Sequence, residues 1–311
     1  MTPSSRDWTT DLGLLALAGI WGVNFSVVKV VLRELDPLAL NALRFPMACV
    51  AMWFLVARLP GPALPDRKDW RRILLLGFLG NVVYQLCFII GLDWTYAGNA
   101  SLLLATVPVW TVILSTAVGH ERPNRWVYFG VTATFVGMIL VIIGGASSLS
   151  LGGDTMRGDL LLVGAAMLWS VYTVAGKAPV QRYGSLRMTA WTLWIATPVI
   201  VLMGVPSLID TDWSGVSAGS WAGVVYAGVL SIALAYLLWY RGVQHLGNSR
   251  TAVYSNLVPV AALITAWLWL GEVPAPLQFA GAAVILLGLS VARLAQSPGF
   301  SSLRWTSSGN S

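Results

Sequence analysis

The chain has 311 residues, 57% of them hydrophobic and only 10% charged, whereas about a quarter of an ordinary globular domain is charged; a water-soluble domain is excluded. The formal charge of +6 does not describe a nucleic-acid surface either, because Lys and Arg are scattered over short segments and form no single patch. A membrane helix needs about 20 apolar residues, and in chain order the charges leave ten such windows: Leu12–Leu32, Leu38–Ala57, Ile73–Leu92, Ala97–Gly119, Trp126–Gly145, Leu160–Val180, Met188–Val205, Trp221–Tyr240, Thr251–Leu270 and Leu277–Ala292. The predicted fold class is an all-α membrane protein with ten transmembrane helices. The apolar run after Arg6 is too long for a secretory signal and is echoed later in the chain, so it is expected to be a retained helix. Cys49 and Cys87 fall inside windows without paired spacing, which predicts small packing residues and neither a disulfide nor a metal site. No cofactor is expected.

The connecting segments carry the orientation. Arg6, the "DRKDWRR" loop from Asp66, Arg122, Arg125, Arg182, Arg187, Arg241, Arg250 and Arg293 fall on one side of the alternation. Arg33 and Arg157 fall on the other, among Glu34, Asp36, Asp93, Asp154, Asp210, Asp212 and Glu272. The positive-inside rule makes the first side cytoplasmic, so both termini are expected inside and the helix count even. The "DRKDWRR" loop reads as a solvated stop signal facing headgroups.

The chain repeats itself. "IWGVNFSVVK" from Ile20 is echoed by "LWSVYTVAGK" from Leu168, matching Trp21 with Trp169 and Lys29 with Lys177. At a nearly constant offset, Gly91 matches Gly242, Pro108 matches Pro259, Glu121 matches Glu272, Pro123 matches Pro274, Gly130 matches Gly281 and Gly137 matches Gly288. Two five-helix units follow, over 12–145 and 159–293. Five is odd, so the second unit enters from the opposite face, and the halves are predicted to be inverted about an axis in the membrane plane, a recurrent plan of secondary transporters. Residues 296–311, "QSPGFSSLRWTSSGNS", read as a disordered cytoplasmic tail.

These blocks, together with "DPLALNALRF" from Asp36, "GHERP" from Gly119 and "GEVP" from Gly271, resemble the EamA-type drug/metabolite transporter family over residues 12 to 293. The resemblance implies ten helices around a central cavity in a bacterial cytoplasmic membrane and the export of amino acids or related metabolites.

Inverted-repeat carriers bind substrate near the midplane. Trp21 with Asn24, and Trp169 with Tyr172, lie there at i, i+3 spacing, each pair on one helix face. The third window offers Asn81, Tyr84, Gln85 and Phe88 on a single face. The eighth offers Tyr236 and Trp239, aligned with Gln85 and Phe88, and the ninth Tyr254 and Asn256 just before Pro259. Amides and phenols are costly against lipid, so these residues are the candidate substrate site. Each also has a plainer reading as a packing residue, while Trp94 and Trp126, at window ends, read as interface anchors.

Lys29 and Lys177 each sit about three residues from the end of their window, one near the outer and the other near the inner side of the membrane, and read as snorkelling or gating charges. Arg44 reads as a supporting charge for Asp36 or for a helix C-terminus. Glu121 and Glu272 read as helix-end elements. Pro108 and Pro259 read as hinges, and the seven-residue glycine spacing in windows five and ten as a close-packed face, within one chain or in a homodimer. No Asp or Glu falls inside a window, which argues against a carboxylate proton relay.

The predicted function is a secondary transporter exporting small metabolites, with neutral or aromatic amino acids foremost, by alternating access. Efflux of lipophilic cations is the alternative, although it would want a counter-charge among the helices. An intramembrane enzyme is the reading from another class, but His120 and His245 lie in loops and neither a zinc motif nor a nucleophile elbow appears.

Overall fold

A computed structural model describes residues 8–60, 64–118, 125–145, 155–246, 251, 254–255 and 257–294. Among these residues every regular element is helical. We number the segments α1 (Trp8–Val31), α2 (Pro37–Val56), α3 (Arg67–Asp93), α4 (Ala97–Ala117), α5 (Arg125–Gly145), α6 (Met156–Tyr183), α7 (Ser185–Asp210), α8 (Ala218–His245), α9 (Leu257–Leu270) and α10 (Pro276–Leu294). Seven are long and apolar enough to cross a membrane; α9 and α10 are shorter apolar helices, and α5 carries an apolar stretch of that shorter class. Large apolar side chains such as Trp53, Phe54, Leu202, Leu268 and Leu287 point outward, which suits a lipid surround rather than water. Trp94 and Trp126 are also exposed, at helix ends.

Local chemistry sets the helix ends. Asp36 caps α2 by accepting the Leu38 N–H at 2.8 Å, ahead of a proline in the first turn, where a missing N–H costs nothing. Asp36 is therefore a cap and not the partner of Arg44. Glu272, just past α9, accepts the N–H groups of Ala97 and Gly98 at 3.2 and 3.1 Å, so it closes the start of α4, where orphan donors and the helix dipole favour a carboxylate. Its repeat mate Glu121 lies outside the described residues, as do His120, Pro123 and the tail.

Three helices depart from the regular α form. Phe78–Val83 in α3, Tyr226–Leu234 in α8 and Ala266–Leu270 in α9 are π-helical, a form that inserts an extra residue into a turn and is frequent at functional sites. Phe78 and Tyr226 are separated by the same offset as Trp21 and Trp169.

In the packing, α1 lies against α8 and α9, α6 against α3 and α4, α2 against α7 and α8, α7 against α3, and α5 against α10. At one end of the bundle, Arg182 and Tyr183, closing α6, hold Asp66 and Asp69 at the start of α3, and Arg72 donates to the Ala175 carbonyl at 2.7 Å. The "DRKDWRR" loop is thus partly tied to the bundle, contrary to its reading as a purely solvated signal. At the other end, Lys29 donates to the Asp93 carbonyl at 2.8 Å and Glu34 accepts the Ser217 N–H at 2.8 Å. Helix α6 starts at the end where α1 finishes, since the Thr95 hydroxyl donates to Asp159 there at 2.6 Å.

The glycine faces of α5 and α10 meet each other within the chain, so they need no second copy to explain them. A Cβ on Gly137 would come within 2.7 Å of the Gly281 carbonyl oxygen and 2.8 Å of Ile285, and one on Gly281 within 2.7 Å of the Gly137 carbonyl oxygen. The obstructing atoms are largely backbone, so the helices themselves would have to separate. Gly137→Ala and Gly281→Ala are each expected to cost about 1–3 kcal/mol, read as a lower melting temperature in detergent, whereas alanine at Gly164, with nothing within 4 Å of the new Cβ, leaves the melt unchanged.

Candidate functional site

Helices α1, α3, α6 and α8 bring their aromatic residues to one place. Trp169, midway along α6, is the hub: its ring centroid lies 5.7 Å from Trp21, 5.0 Å from Tyr84, 4.9 Å from Tyr236 and 6.0 Å from Trp239. Trp21 also packs at 5.6 Å on Trp239, and its indole N–H donates to the Ser231 carbonyl at 3.0 Å. Most of these contacts are edge-to-face or tilted, the arrangements ring quadrupoles favour. They frame a cavity of about 70 Å³ whose wall also includes Asn24, Phe25, Arg44, Gln85, Phe88, Ser101, Ser231, Ser255, Val258 and Pro259. A water needs about 10–15 Å³, so the cavity in this conformation admits a few waters.

One polar chain crosses this aromatic wall. Arg44 of α2 is 1% exposed. Its Nε–H donates to Asn41 Oδ1 at 2.8 Å and its Nη2 to Gln85 Oε1 at 2.7 Å; Gln85 Nε2 then donates to the Tyr236 hydroxyl at 2.8 Å. The guanidinium also lies 5.7 Å over the Phe88 ring. Three helices are thereby joined by buried hydrogen bonds, each stronger for being shielded from water.

Of the residues singled out in the sequence, Trp21, Asn24, Tyr84, Gln85, Trp169, Tyr236, Trp239 and Pro259 reach the cavity. Asn81 and Tyr172 do not. The expectation that Asn81 shares a face with Tyr84, Gln85 and Phe88 assumed a regular α-helix, and the π-helical turns of α3 break that register. Asn81 is buried without a hydrogen bond among the described residues, while Tyr172 turns to Thr192 at 2.9 Å and stacks near Tyr240 at 5.2 Å. Tyr254 donates to Asp11 at 2.6 Å at the end of the bundle, and Asn256 lies outside the described residues. Arg44, read as a supporting charge, lines the cavity instead. Phe25, Ser101, Ser231 and Ser255 reach the cavity without any signal that would have separated them from packing residues.

The two lysines behave differently. Lys29 closes the C-terminal turn of α3 through Asp93, whereas Lys177 is partly buried and makes no hydrogen bond or ion pair among the described residues. Pro108 follows a turn at Ala105–Thr106 that divides α4 into Ala97–Leu104 and Val107–Ala117. Pro259 has a similar place, in the first turn of α9 just after a turn at Ser255.

The sequence reading placed no carboxylate within a helix. Helix α6 in fact begins at Met156, ahead of its apolar window, and Asp159 is wholly buried there. Its Oδ1 accepts the Thr95 hydroxyl and its Oδ2 has no partner among the described residues. Nearby, Gln278 of α10 donates to Asn99 of α4 and accepts the Ala275 N–H at 2.7 Å. Two larger recesses, of about 450 and 440 Å³, flank this end and share Tyr96, Leu270 and Glu272. They lie at helix ends, away from the aromatic hub. The central cavity, smaller in this conformation, gathers the convergent rings and hydrogen-bonding groups of a binding site.

The pattern of the EamA-like transporter family matches residues 8–143 and 156–294, and the chain belongs to that family. It is a multi-pass membrane transporter and not an enzyme. It is similar, at 30% identity over 86% of this chain and 88% of the relative, to a probable terminal-alkyne amino-acid exporter of Streptantibioticus cattleyicolor. It is similar, at 30% identity over 90% of this chain and 93% of the relative, to a probable amino-acid metabolite efflux pump of Salmonella typhimurium. A transporter of Bacillus subtilis without an assigned substrate is 29% identical over 88% of this chain and 87% of its own length. A solved crystal structure of 19% identity shares the fold, with a TM-score of 0.67 over 94% of this chain and 100% of that one.

The polar chain yields a stability prediction. Tyr236→Phe removes the acceptor of Gln85 Nε2 and leaves a buried donor unpaired, an expected loss of about 1–3 kcal/mol. Tyr240→Phe, equally buried, removes a hydroxyl that faces Tyr172 but makes no well-formed hydrogen bond among the described residues, and should cost less than Tyr236→Phe. Paired thermal melts in detergent compare the two.

Proposed function

We propose that the protein is a secondary carrier that exports small metabolites, neutral or aromatic amino acids foremost, through ten helices arranged as two inverted five-helix repeats around the central cavity. One observation carries the reading: residues paired by the internal repeat meet each other at the site. Trp21 touches Trp169, Gln85 hydrogen-bonds Tyr236, and Phe88 and Trp239 line the same cavity. Such meetings are what a pseudo-two-fold axis through a binding site produces.

The packing of the helices supports the same arrangement. Replacing each helix by the one five places along turns α1 against α9 into α6 against α4, and α1 against α8 into α6 against α3, and it returns α2 with α7 and α5 with α10 to themselves. Two halves of equivalent packing have two arrangements of comparable energy, one open to each side, and alternating access is the exchange between them. The cavity falls well below the roughly 300–1,000 Å³ of a ligand-holding pocket, so substrate entry requires the rings around Trp169 to part. The divided α4 and the π-helical stretches of α3 and α8 are where the backbone can yield.

The exporter names carried by two relatives at 30% identity favour amino acids as substrates. Lipophilic-cation efflux is disfavoured because the charged side chain on the cavity wall is the cationic Arg44. The concentration of Arg and Lys at the end bearing Asp66 and Arg182 supports cytoplasmic termini in a bacterial inner membrane.

Protein reconstituted in liposomes is expected to exchange labelled neutral or aromatic amino acids. Trp169→Ala and Gln85→Ala should lower flux about tenfold or more, equivalent to ~1.4 kcal/mol of lost interaction, while remaining monodisperse. Absence of flux for the whole amino-acid panel with folded protein would refute the substrate assignment. Accessibility labelling of single cysteines at 33–36 and at 179–187 should place the two segments on opposite faces; labelling from one face only would rule out the inverted halves.

A further inference from the structure

Resting on the reading of the central cavity as the substrate site, we infer that Arg44 is the anchor for a substrate carboxylate and that this group, rather than an amine, is the obligatory feature of the cargo. Arg44 is as deeply buried as any charged group near the cavity, and the described side chains lining the cavity include no Asp or Glu. Its neighbours are neutral: Asn41, Gln85 and the face of Phe88. A guanidinium has five N–H donors in a planar fork, of which Asn41 and Gln85 engage one on Nε and one on Nη2. The remaining donors have no hydrogen-bonding partner among the described residues.

A structural arginine in an apolar interior is ordinarily paired, because an uncompensated charge there is expensive. Here the missing counter-charge is matched to a cavity that the guanidinium borders. A monoanion entering the cavity removes the imbalance, and a planar carboxylate can accept two parallel N–H groups from the fork. Gln85, fixed by Tyr236 on its other side, holds the guanidinium in place for that geometry.

The amine has a weaker claim. The cavity offers an ammonium no carboxylate. It does offer Asn24 Oδ1, a buried acceptor without a hydrogen bond among the described residues, and the ring faces of Trp21, Tyr84 and Trp169, which attract cations modestly. An ammonium is therefore accommodated but not demanded. The cargo class is an apolar or aromatic body bearing a free carboxylate, with or without an α-amine.

The test uses the full chain and four probes of one shape: phenylalanine, 3-phenylpropionate, phenylalaninamide and phenylethylamine. In proteoliposomes the two carboxylates should exchange at least about tenfold faster than the two probes lacking one. In detergent the same two should raise the melting temperature, while the amide and the amine do not. Arg44→Gln should abolish the distinction, and Arg44→Lys, which keeps the charge but loses the fork, should retain it in part. If Arg44→Gln does not fold, the lysine variant and the wild-type probe comparison still decide the matter. Equal transport and equal thermal shifts for phenylalanine and its amide would overturn the carboxylate anchor while leaving the carrier intact. Carboxylate-specific thermal shifts in wild-type protein without flux of any probe would uphold the anchor and refute the carrier.

Discussion

A positive charge held in an apolar interior organises this molecule. Arg44 is shut off from bulk water, so its burial is tolerable only where dipoles or an anion meet it. Asn41 comes from its own helix, Gln85 from α3, and Gln85 is oriented in turn by Tyr236 of α8. The hydrogen-bonded chain thus fixes three helices with respect to one another at the place where four helices contribute rings. Loss of register in any of them would strand a donor or acceptor in a medium that offers no substitute.

The same constraint explains how the ends of the bundle are built. Helix termini carry unpaired N–H and C=O groups, and near lipid these need partners from the chain itself. Glu272 supplies two acceptors to the start of α4 and Lys29 a donor to the end of α3, and Arg72 does the same within α6 for the Ala175 carbonyl, which Pro179 leaves without its helical donor. Lys29, which looks like a gate in the sequence, is in this conformation a tie between a helix end and its neighbour. A carrier that alternates must break some of them, and a single backbone hydrogen bond from an ammonium is a modest barrier compared with a buried ion pair.

The aromatic hub and the glycine seam have complementary parts. Gly137, Gly281 and Gly288 bring α5 and α10 together backbone to backbone, a contact with no room for side-chain rearrangement. Around Trp169, by contrast, contact is made by large rings on separate helices, which can slide past one another while keeping apolar area covered. Rigidity lies at the periphery and adjustable contact at the centre, an arrangement suited to a binding site that must open.

The composition class, the helical windows and their internal repeat are legible in the residues alone, because burying backbone in hydrocarbon forces long apolar helices and duplication leaves Trp, Pro and Gly at a steady offset. It also marked Trp21, Trp169, Gln85 and Tyr236, whose polar edges are costly against lipid. The folded chain shows that Arg44 joins them while Asn81 and Tyr172 do not: π-helical turns, which no hydropathy pattern records, take Asn81 off its face, and Tyr172 turns to Thr192 of α7. Only the fold revealed Asp159 as buried, because its helix begins before its apolar window and the turn at Thr95 covers it. Periodicity reports which side of a helix avoids water; which polar group meets which depends on how neighbouring helices are rotated, and that is set by contacts between residues far apart in the chain.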